Sequence, residues 1–361
     1  MEFIAALISL PHCIISPPTA CNILLAARDT IWVNKMDRRS IAVLSHASDI
    51  DGVGSSALIK AKYGIPASML FFADYSKQSL GYVDSKLAGI YKNGIVLFIT
   101  DLGVNDSLIA AYRKILLAVK KGGGKVVWFD HHPWSDRAVK ELASLCDTAV
   151  IGENEKYCAT EITYKELGMA GGFYRDFVRL VHYSDFNITP RSRAVYGRIG
   201  VYALGITSYG ILQSRDAMTM KLRHVAEVIS KGRYYDSKIK ADALRFERLN
   251  RDRISKMLKE MLLYPHAAIG FSSHVQSTAG CTALMKRSGK EIGIYVNTSN
   301  MRGHIRCEDK DISVLAGALG GGGHPHASGF NVPRQFKKLD TSAERKRLAD
   351  FLGEKIEELG I

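Results

Sequence analysis

Short runs of apolar and β-branched residues, separated by longer helical patterns, are the feature of this sequence that most restricts its fold. Such runs occupy residues 41–44, 69–72, 95–99, 126–129 and 148–151. Each is nearly continuous in apolar residues, as expected for strands that are buried on both faces of a sheet. Their alternation with helical patterns is typical of parallel strands joined by crossover helices. The sequence therefore predicts an α/β fold built on a doubly wound parallel sheet.

The rest of the chain indicates a second domain. With 361 residues and 47% apolar content, the chain is long enough for two globular domains. After residue 214 the pattern becomes helical and charged, and apolar residues from Ile254 to Leu262 recur at the three- and four-residue spacing of a helical stripe. Shorter strand-like runs at 268–271 and 292–296 predict a smaller α/β domain joined by this helical connector. The predicted divisions are an N-terminal extension at 1–38, a first domain at 39–213, the connector at 214–263 and a second domain at 264–361.

The net charge favours an anionic partner. The chain has 49 Lys and Arg against 36 Asp and Glu, which gives a formal charge of +13, and a positive surface attracts phosphate over roughly a Debye length of about 8 Å. A basic but inert surface explains the charge equally well. Eight basic residues lie on the predicted connector: Lys238, Lys240, Arg245, Arg248, Arg251, Arg253, Lys256 and Lys259. Such a charge run is typical of a solvated helix face, and a connector that flanks a nucleic-acid cleft is the alternative.

The cysteines and the N-terminal extension indicate the cellular compartment in which the protein is expected. The six cysteines, at positions 13, 21, 146, 158, 281 and 307, form no CxxC pair, so neither a zinc knuckle nor a disulfide framework is indicated. The apolar stretch from Phe3 to Ala27 is interrupted by prolines and preceded by no basic residue, which disfavours both a membrane span and a signal peptide. We therefore expect a cytoplasmic protein without a membrane partner. Met36 is a candidate initiator, which an intact-mass measurement of the native protein would test.

Aspartate and histidine residues follow the ends of three of the predicted strands. They are His46, Asp49 and Asp51 after the first run, Asp101 after the third, and Asp130, His131 and His132 after the fourth. The first group alone is also explained by an Asp-rich turn that caps the next helix. Because the carboxyl ends of parallel strands meet at one edge of a sheet, three such groups predict a common site. Carboxylates and imidazoles without thiolates suit a pair of Mn²⁺-type ions.

In this order the motifs resemble those of the DHH phosphoesterase family, which is named for the triplet at residues 130–132. The resemblance covers about residues 41–332. Its four motifs are HxxDxDG at 46–52, Asp101, the triplet and a later acidic residue. We assign this fourth motif to Asp185, with Asp176 as the alternative. It implies that His46 and Asp49 hold one metal ion, that Asp51 and His131 hold the other, and that Asp101 and Asp185 are shared. It also implies that His132 lies toward the scissile phosphate and that Asp130 orients a ligand imidazole. Residues 158–161 resemble a family segment near the cleft, and we interpret them as packing residues.

The C-terminal part contains a second match to the same family. A glycine run followed by His324 resembles the GGGGH signature of the first type of DHH-associated domain, as found in the RecJ-like and nanoRNase-like branch of archaeal type. A bare glycine run is otherwise typical of a flexible linker. The resemblance implies a substrate loop in which Gly321, Gly322, Gly323 and His324, together with Arg306, bind a phosphate. Cys307 departs from the serine that the family usually has beside this arginine.

The resemblance implies a two-metal phosphodiesterase or exonuclease that acts on single-stranded nucleic acid or short oligonucleotides. The expected ions are two Mn²⁺, with Mg²⁺ as the alternative. A phosphatase acting on cyclic dinucleotides or nucleoside bisphosphates is the competing enzyme, and a non-catalytic replication or repair scaffold is the competing class, against which the complete ligand set argues. Histidines near the C-terminus leave a third metal site open, and a homodimer is also left open.

Overall fold

The computed structural model describes residues 24–25, 38–152, 156–186, 193–209, 214–336 and 338–361. The chain divides into two compact units, of which the first holds most of the described residues up to 189 and the second most of those from 190 onward. Met36 and most of the predicted N-terminal extension lie outside the described residues. The domain boundaries at 213 and 263 stay predictions.

The first unit is built on a six-stranded sheet with the order β1-β6-β5-β4-β2-β3. Its strands are β1 (Leu24–Leu25), β2 (Ile41–His46), β3 (Leu70–Ala73), β4 (Val96–Thr100), β5 (Lys125–Asp130) and β6 (Thr148–Ile151). Strands β2 to β6 are mutually parallel, and β1 pairs antiparallel with β6 at one edge. The parallel strands are buried along nearly their whole length, as the continuous apolar runs predict. The predicted α/β fold with a parallel sheet is confirmed.

The described residues of this unit form six α-helices, four between consecutive parallel strands and two after the last strand. They are α1 (Ile50–Tyr63), α2 (Lys77–Leu87), α3 (Ile109–Lys121), α4 (Asp136–Leu142), α5 (Ala159–Glu166) and α6 (Gly172–Asp185). Helix α3 illustrates how they pack, because Tyr112, Leu116 and Val119 recur at helical spacing and are all buried. Each such side chain contributes about 1.5–3 kcal/mol when it is removed from water. These residues pack in one apolar cluster with the buried Trp128 of β5, which fixes the ends of the strands relative to one another.

The second unit contains a mixed six-stranded sheet with the order β11-β12-β10-β9-β8-β7. Its strands are β7 (Leu262–Leu263), β8 (Ala267–Ser272), β9 (Ile292–Asn297), β10 (Arg302–Cys307), β11 (Gly322–His324) and β12 (Ala327–Asn331). Only the β8–β9 pair is parallel. The predicted strand-like runs at 268–271 and 292–296 are confirmed as β8 and β9.

Six more helices belong to this part of the chain. They are α7 (Arg193–Tyr209), α8 (Arg215–Ser230), α9 (Ser237–Lys259), α10 (Ser277–Ser288), α11 (Ser313–Ala318) and α12 (Ser342–Glu358). Helix α9 begins at the Asp236 side chain, which accepts backbone hydrogen bonds from Lys238 and Ile239. The predicted helical stripe is wrong at its end, because the helix stops at Lys259 and Leu262 instead pairs with Ile269 in the sheet. None of the helices in the described part of the chain combines the length and the apolarity that crossing a membrane requires.

Candidate metal centre

The structure brings together all six side chains that were predicted as metal ligands. His46 ends β2, Asp49 and Asp51 lie at the start of α1, Asp101 directly follows β4, His131 directly follows β5, and Asp185 ends α6. Three groups have ligand atoms within 4.8 Å of one another: His46, Asp49 and Asp101; Asp51, His131 and Asp185; and Asp101, His131 and His132. Because Asp101 and His131 each belong to two of the groups, the six predicted ligands form one continuous ligand cluster.

His131 lies at the centre of this ligand cluster. Its Nε2 atom is 3.6 Å from a carboxylate oxygen of Asp101, 3.7 Å from one of Asp185 and 3.8 Å from one of Asp51. These separations are too long for hydrogen bonds. They fit ligand atoms that surround a common cation, since each ligand of a divalent ion lies only about 2.0–2.6 Å from it.

The chemistry of the donor atoms also fits divalent cations. Asp51, Asp101 and His131 are each 1% exposed, and carboxylates that lie so close together away from water repel one another without compensating positive charge. The ligand cluster offers only carboxylate oxygens and imidazole nitrogens. Such a set suits Mn²⁺ or Mg²⁺ better than ions that prefer thiolates.

Asp101 adopts a strained backbone conformation at the edge of the sheet. Its φ angle is 55°, which lies in the left-handed region that residues other than glycine rarely adopt. Its backbone N–H donates to the carbonyl oxygen of Phe129 at 3.0 Å, which ties the residue to β5. Such strain costs on the order of 1–3 kcal/mol and persists where the surrounding structure enforces it. The conformation turns the chain immediately after β4 and leaves the Asp101 carboxylate in the ligand cluster.

The start of helix α5 holds the Asp51 carboxylate. One carboxylate oxygen accepts the backbone N–H of Ala159 at 2.8 Å, and the other accepts that of Thr160 at 2.7 Å. The Thr160 hydroxyl donates to the backbone carbonyl of Asp51 at 2.8 Å. The N-terminus of a helix carries a partial positive charge, so this position stabilises an anion. The packing role predicted for residues 158–161 agrees with the complete burial of Cys158, Ala159 and Thr160, and holding Asp51 is a second role that the sequence analysis missed.

A hydrogen-bonded chain fixes His132 beside the ligand cluster. The Nδ1 atom of His132 is 2.8 Å from one oxygen of Asp130, and the Trp134 indole N–H donates to the other oxygen at 2.9 Å. Burial alone would raise the pKa of Asp130, but the charge and hydrogen bond of His132 outweigh it and hold that pKa below its usual range. Burial alone would lower the pKa of His132, and Asp130 outweighs it in turn, so this pKa is raised. Asp130, predicted to orient a ligand imidazole, is thus hydrogen bonded to His132.

Gly103 makes room for His132. A Cβ atom added at Gly103 would lie 2.6 Å from the His132 Cβ atom, which is far inside van der Waals contact. The glycine two positions after Asp101 is therefore a sequence signal for this close approach. Trp134 gave a weaker signal, as an aromatic residue in the polar stretch after the triplet. Tyr75, which follows β3 and also reaches His132, gave none.

The fourth motif is better assigned to Asp185 than to Asp176. Asp176 is partly exposed on α6 and lies 3.5 Å from the guanidinium of Arg179. Among the described residues it joins no group with the spacing of metal ligands. Within the described ranges, no group with the spacing of metal ligands contains His274, His304, His324 or His326. The third metal site that the sequence left open therefore has no matching set of ligands in the described residues.

The predicted substrate-binding residues lie in the second unit. The Arg306 guanidinium donates to the Ile305 carbonyl at 2.9 Å and to the Thr278 hydroxyl at 3.3 Å. The His304 ring stacks on Tyr295 with the ring centroids 5.7 Å apart. Burial, together with the charge of Arg306, lowers the pKa of His304 to about 4. His304 is thus a neutral group on the same strand as Arg306.

The glycine run is not a flexible linker, because its second half belongs to a strand while Gly320 and Gly321 lie before it. Residues Gly322–His324 form strand β11, which pairs antiparallel with β12. The reason is steric, because a Cβ atom at Gly321 would lie 2.1 Å from the Gly329 carbonyl oxygen, and Gly323 has a φ angle of 140° that favours glycine. The glycines therefore permit a close hairpin, and β11 itself is exposed. Binding of substrate by Arg306 and by this hairpin stays a prediction.

Comparison with known proteins gives structural neighbours and no sequence relatives. No protein-family model matches the chain, and no curated protein matches its sequence. An exopolyphosphatase-related protein from Bacteroides fragilis matches with a TM-score of 0.53 at 15% identity, over 91% of this chain and 95% of that one. RecJ from Thermus thermophilus, solved in complex with Mn²⁺, matches with a TM-score of 0.51 at 14% identity, over 87% of this chain and 52% of that one.

A third neighbour is the pGpG-specific phosphodiesterase PggH from Vibrio cholerae. It matches with a TM-score of 0.51 at 14% identity, over 87% of this chain and 98% of that one. At such low identities the likeness concerns the fold alone. The chain therefore shares the fold of PggH and of about half of RecJ, as its resemblance to the DHH family implies.

Proposed function

We propose that this chain is a DHH-type phosphodiesterase that uses two divalent cations, Mn²⁺ with Mg²⁺ as the alternative, to cut single-stranded nucleic acid or short oligonucleotides. The ligand cluster carries this proposal. Its six side chains come from the ends of three neighbouring strands, from the start of α1 and from the end of α6, and they supply only oxygen and nitrogen donors. Of the structural neighbours, RecJ was solved with Mn²⁺ and PggH is a phosphodiesterase, which supports the same reading.

Each of these side chains has a proposed role in binding metal or substrate. His46 and Asp49 would hold one ion, Asp51 and His131 the other, and Asp101 and Asp185 would be shared between them. Divalent ions held by these side chains would supply Lewis-acid activation of water and stabilisation of negative charge on the phosphate. Asp130 binds the Nδ1 edge of His132, so the Nε2 edge, which lies near the Tyr75 hydroxyl, would be the edge that contacts the scissile phosphate. Arg306 and the β11 hairpin with Gly321, Gly322, Gly323 and His324 would bind a second phosphate of the substrate.

The surface charge supports a polymer as substrate. Seven basic side chains on α9 are exposed, against two exposed acidic ones, Glu247 and Asp252. The exposed basic residues are Lys238, Lys240, Arg245, Arg248, Arg251, Lys256 and Lys259. A strand of several phosphates gains from such a face because its binding releases counterions, whereas a dinucleotide gains little.

A phosphodiesterase or phosphatase specific for a dinucleotide is the second candidate, because PggH acts on pGpG. A salt titration separates the two candidates. If the substrate is a polymer, its affinity should fall steeply and log-linearly with salt, with a slope of about −0.7 per phosphate contact for single strands. A shallow dependence would favour the dinucleotide.

The central experiment measures hydrolysis in the presence of Mn²⁺. The substrates are end-labelled RNA and DNA oligonucleotides, pGpG, a cyclic dinucleotide and pyrophosphate. His131→Ala and Asp101→Asn, the latter chosen because asparagine tolerates the left-handed conformation, should each lower turnover at least about 100-fold, since even groups that only support metal ligands contribute about 10- to 100-fold.

Asp176→Asn is the matched control, because Asp176 is partly exposed and lies outside the ligand cluster. It should leave turnover within twofold of the wild type. Undiminished hydrolysis in both ligand variants would show that the reaction takes place elsewhere. Absence of hydrolysis in the wild type on every substrate would favour the scaffold alternative.

A further inference from the structure

Tyr75 contacts three side chains or backbone groups of the candidate metal centre. It follows β3, and its hydroxyl oxygen lies 3.4 Å from the Nε2 atom of His132 and 3.4 Å from the backbone carbonyl oxygen of Asp101. Its ring centroid is 4.7 Å from that of His46 and 5.8 Å from that of His132. Tyr75 therefore lies between the C-terminal end of β3 and the edge of the ligand cluster.

His132 is fixed on its other side by the core. Asp130 binds its Nδ1 atom, and Trp134 binds the second oxygen of Asp130. The Trp134 ring packs edge-on against Trp128, with the centroids 4.5 Å apart, and Trp128 is fully buried. The Nδ1 edge of the His132 imidazole is thus held by contacts that reach the interior of the protein. The Nε2 edge can still rotate and tilt unless another group contacts it.

We propose that Tyr75 is a positioning residue for the reaction, and that its hydroxyl restricts the Nε2 edge of His132 while Asp130 restricts the Nδ1 edge. This inference rests on the proposed function, because the orientation of His132 affects a reaction only if His132 contacts the substrate. A phenol suits the position, since its oxygen both donates and accepts hydrogen bonds and can contact a ring nitrogen and a carbonyl oxygen together. Both contacts are long for hydrogen bonds at 3.4 Å, so the hydroxyl would limit the tilt of the imidazole while Nε2 keeps the capacity to bind a phosphoryl oxygen of the substrate.

The contact is tested without turnover, on metal-free protein labelled with ¹⁵N in the histidine side chains. Tyr75→Phe removes the hydroxyl but keeps the ring, so the ring-current effect on His46 is preserved. We expect the Nε2 resonance of His132, assigned by its loss in His132→Gln, to shift in Tyr75→Phe. Tyr82→Phe is the matched control, because Tyr82 packs on the apolar core at α2, and it should leave this resonance unchanged. An unchanged His132 resonance in Tyr75→Phe would overturn the proposal.

The functional consequence is tested by steady-state kinetics with Mn²⁺ and the substrate that the proposed hydrolysis experiment identifies. Tyr75→Phe should lower kcat about tenfold with KM within twofold, since misplacement of a reacting group by even 1 Å costs up to about 100-fold. In the His132→Gln background the same substitution should cause no further loss, because two residues that act through one group are not additive. Equal losses in both backgrounds, or a change in KM alone, would contradict a positioning role.

The two experiments separate the two proposals. A wild-type protein without Mn²⁺-dependent hydrolysis would refute the proposed function, and the NMR result would then decide the Tyr75 contact by itself. An active wild type with an unaffected Tyr75→Phe variant would refute the positioning role and leave the proposed function in place.

Discussion

Replacement of Asp51 should destabilise the metal-free protein, although Asp51 is a proposed metal ligand. Its two carboxylate oxygens accept the backbone N–H groups of Ala159 and Thr160 at 2.8 and 2.7 Å, and all three residues are buried. In Asp51→Ala both N–H groups lose their acceptor, and an unsatisfied buried donor costs about 1–3 kcal/mol. Relief of repulsion from the neighbouring carboxylates offsets a part of this cost. We expect a loss of about 2–4 kcal/mol in the free energy of unfolding.

Asp185→Ala is the matched control, because it also removes a carboxylate from the ligand cluster. Asp185 ends α6 and is exposed, so its charge lies at the negative end of a helix dipole, where an anion is unfavourable by a few tenths of a kcal/mol. Without metal, Asp185→Ala should therefore lose less stability than Asp51→Ala. Asp51→Asn keeps one carbonyl oxygen as an acceptor and should lose about half as much as Asp51→Ala.

The assay is urea denaturation in EDTA, followed by tryptophan fluorescence, to which Trp128 and Trp134 in the first unit contribute. Unfolding of this unit then gives the free energy by linear extrapolation. If Asp51→Ala is within about 0.5 kcal/mol of Asp185→Ala, which is the usual range for unimportant surface substitutions, the reasoning about the α5 N-terminus is refuted.

Three further substitutions test other proposed roles. Gly103→Ala places a Cβ atom 2.6 Å from that of His132, so it should lower kcat at least about tenfold; an unchanged kcat would mean that His132 is not needed where it lies. Trp134→Phe removes the donor to Asp130 at 2.9 Å and should lower kcat about tenfold while calorimetry finds Mn²⁺ affinity within threefold of the wild type. Arg306→Ala should raise KM about tenfold and leave kcat within twofold, because it removes a contact made before and during the reaction; a fall in kcat alone would contradict this role.

The first sheet and most of the ligand cluster could be predicted from the sequence because both depend on local pattern. Strands buried on both faces, such as β4, are continuous apolar runs, and the residues that follow them meet at one sheet edge. Asp101 was found in this way. Its left-handed conformation was not, because nothing in the sequence around it distinguishes it from an ordinary residue after a strand.

The parts that could not be predicted depend on contacts between distant residues or on weak strand patterns. The bond from Thr160 to Asp51 joins residues 109 positions apart. Strand β10 alternates buried with more exposed residues and contains two arginines, and β11 is mostly glycine, so neither has the apolar content by which strands are recognised. The end of α9 was missed because Leu262 fits both the helical spacing and the edge strand that it joins.

The triplet at residues 130–132 begins on the last residue of β5, so no connecting segment lies between the sheet and His131. The strand therefore holds the backbone beside His131, and burial at 1% exposure restricts movement of its side chain. Asp185 is the exposed member of the ligand cluster and ends a helix, where fraying of the last turn is common. We expect ions to exchange through the Asp185 side, at a rate governed by the opening of that last turn and not by the sheet.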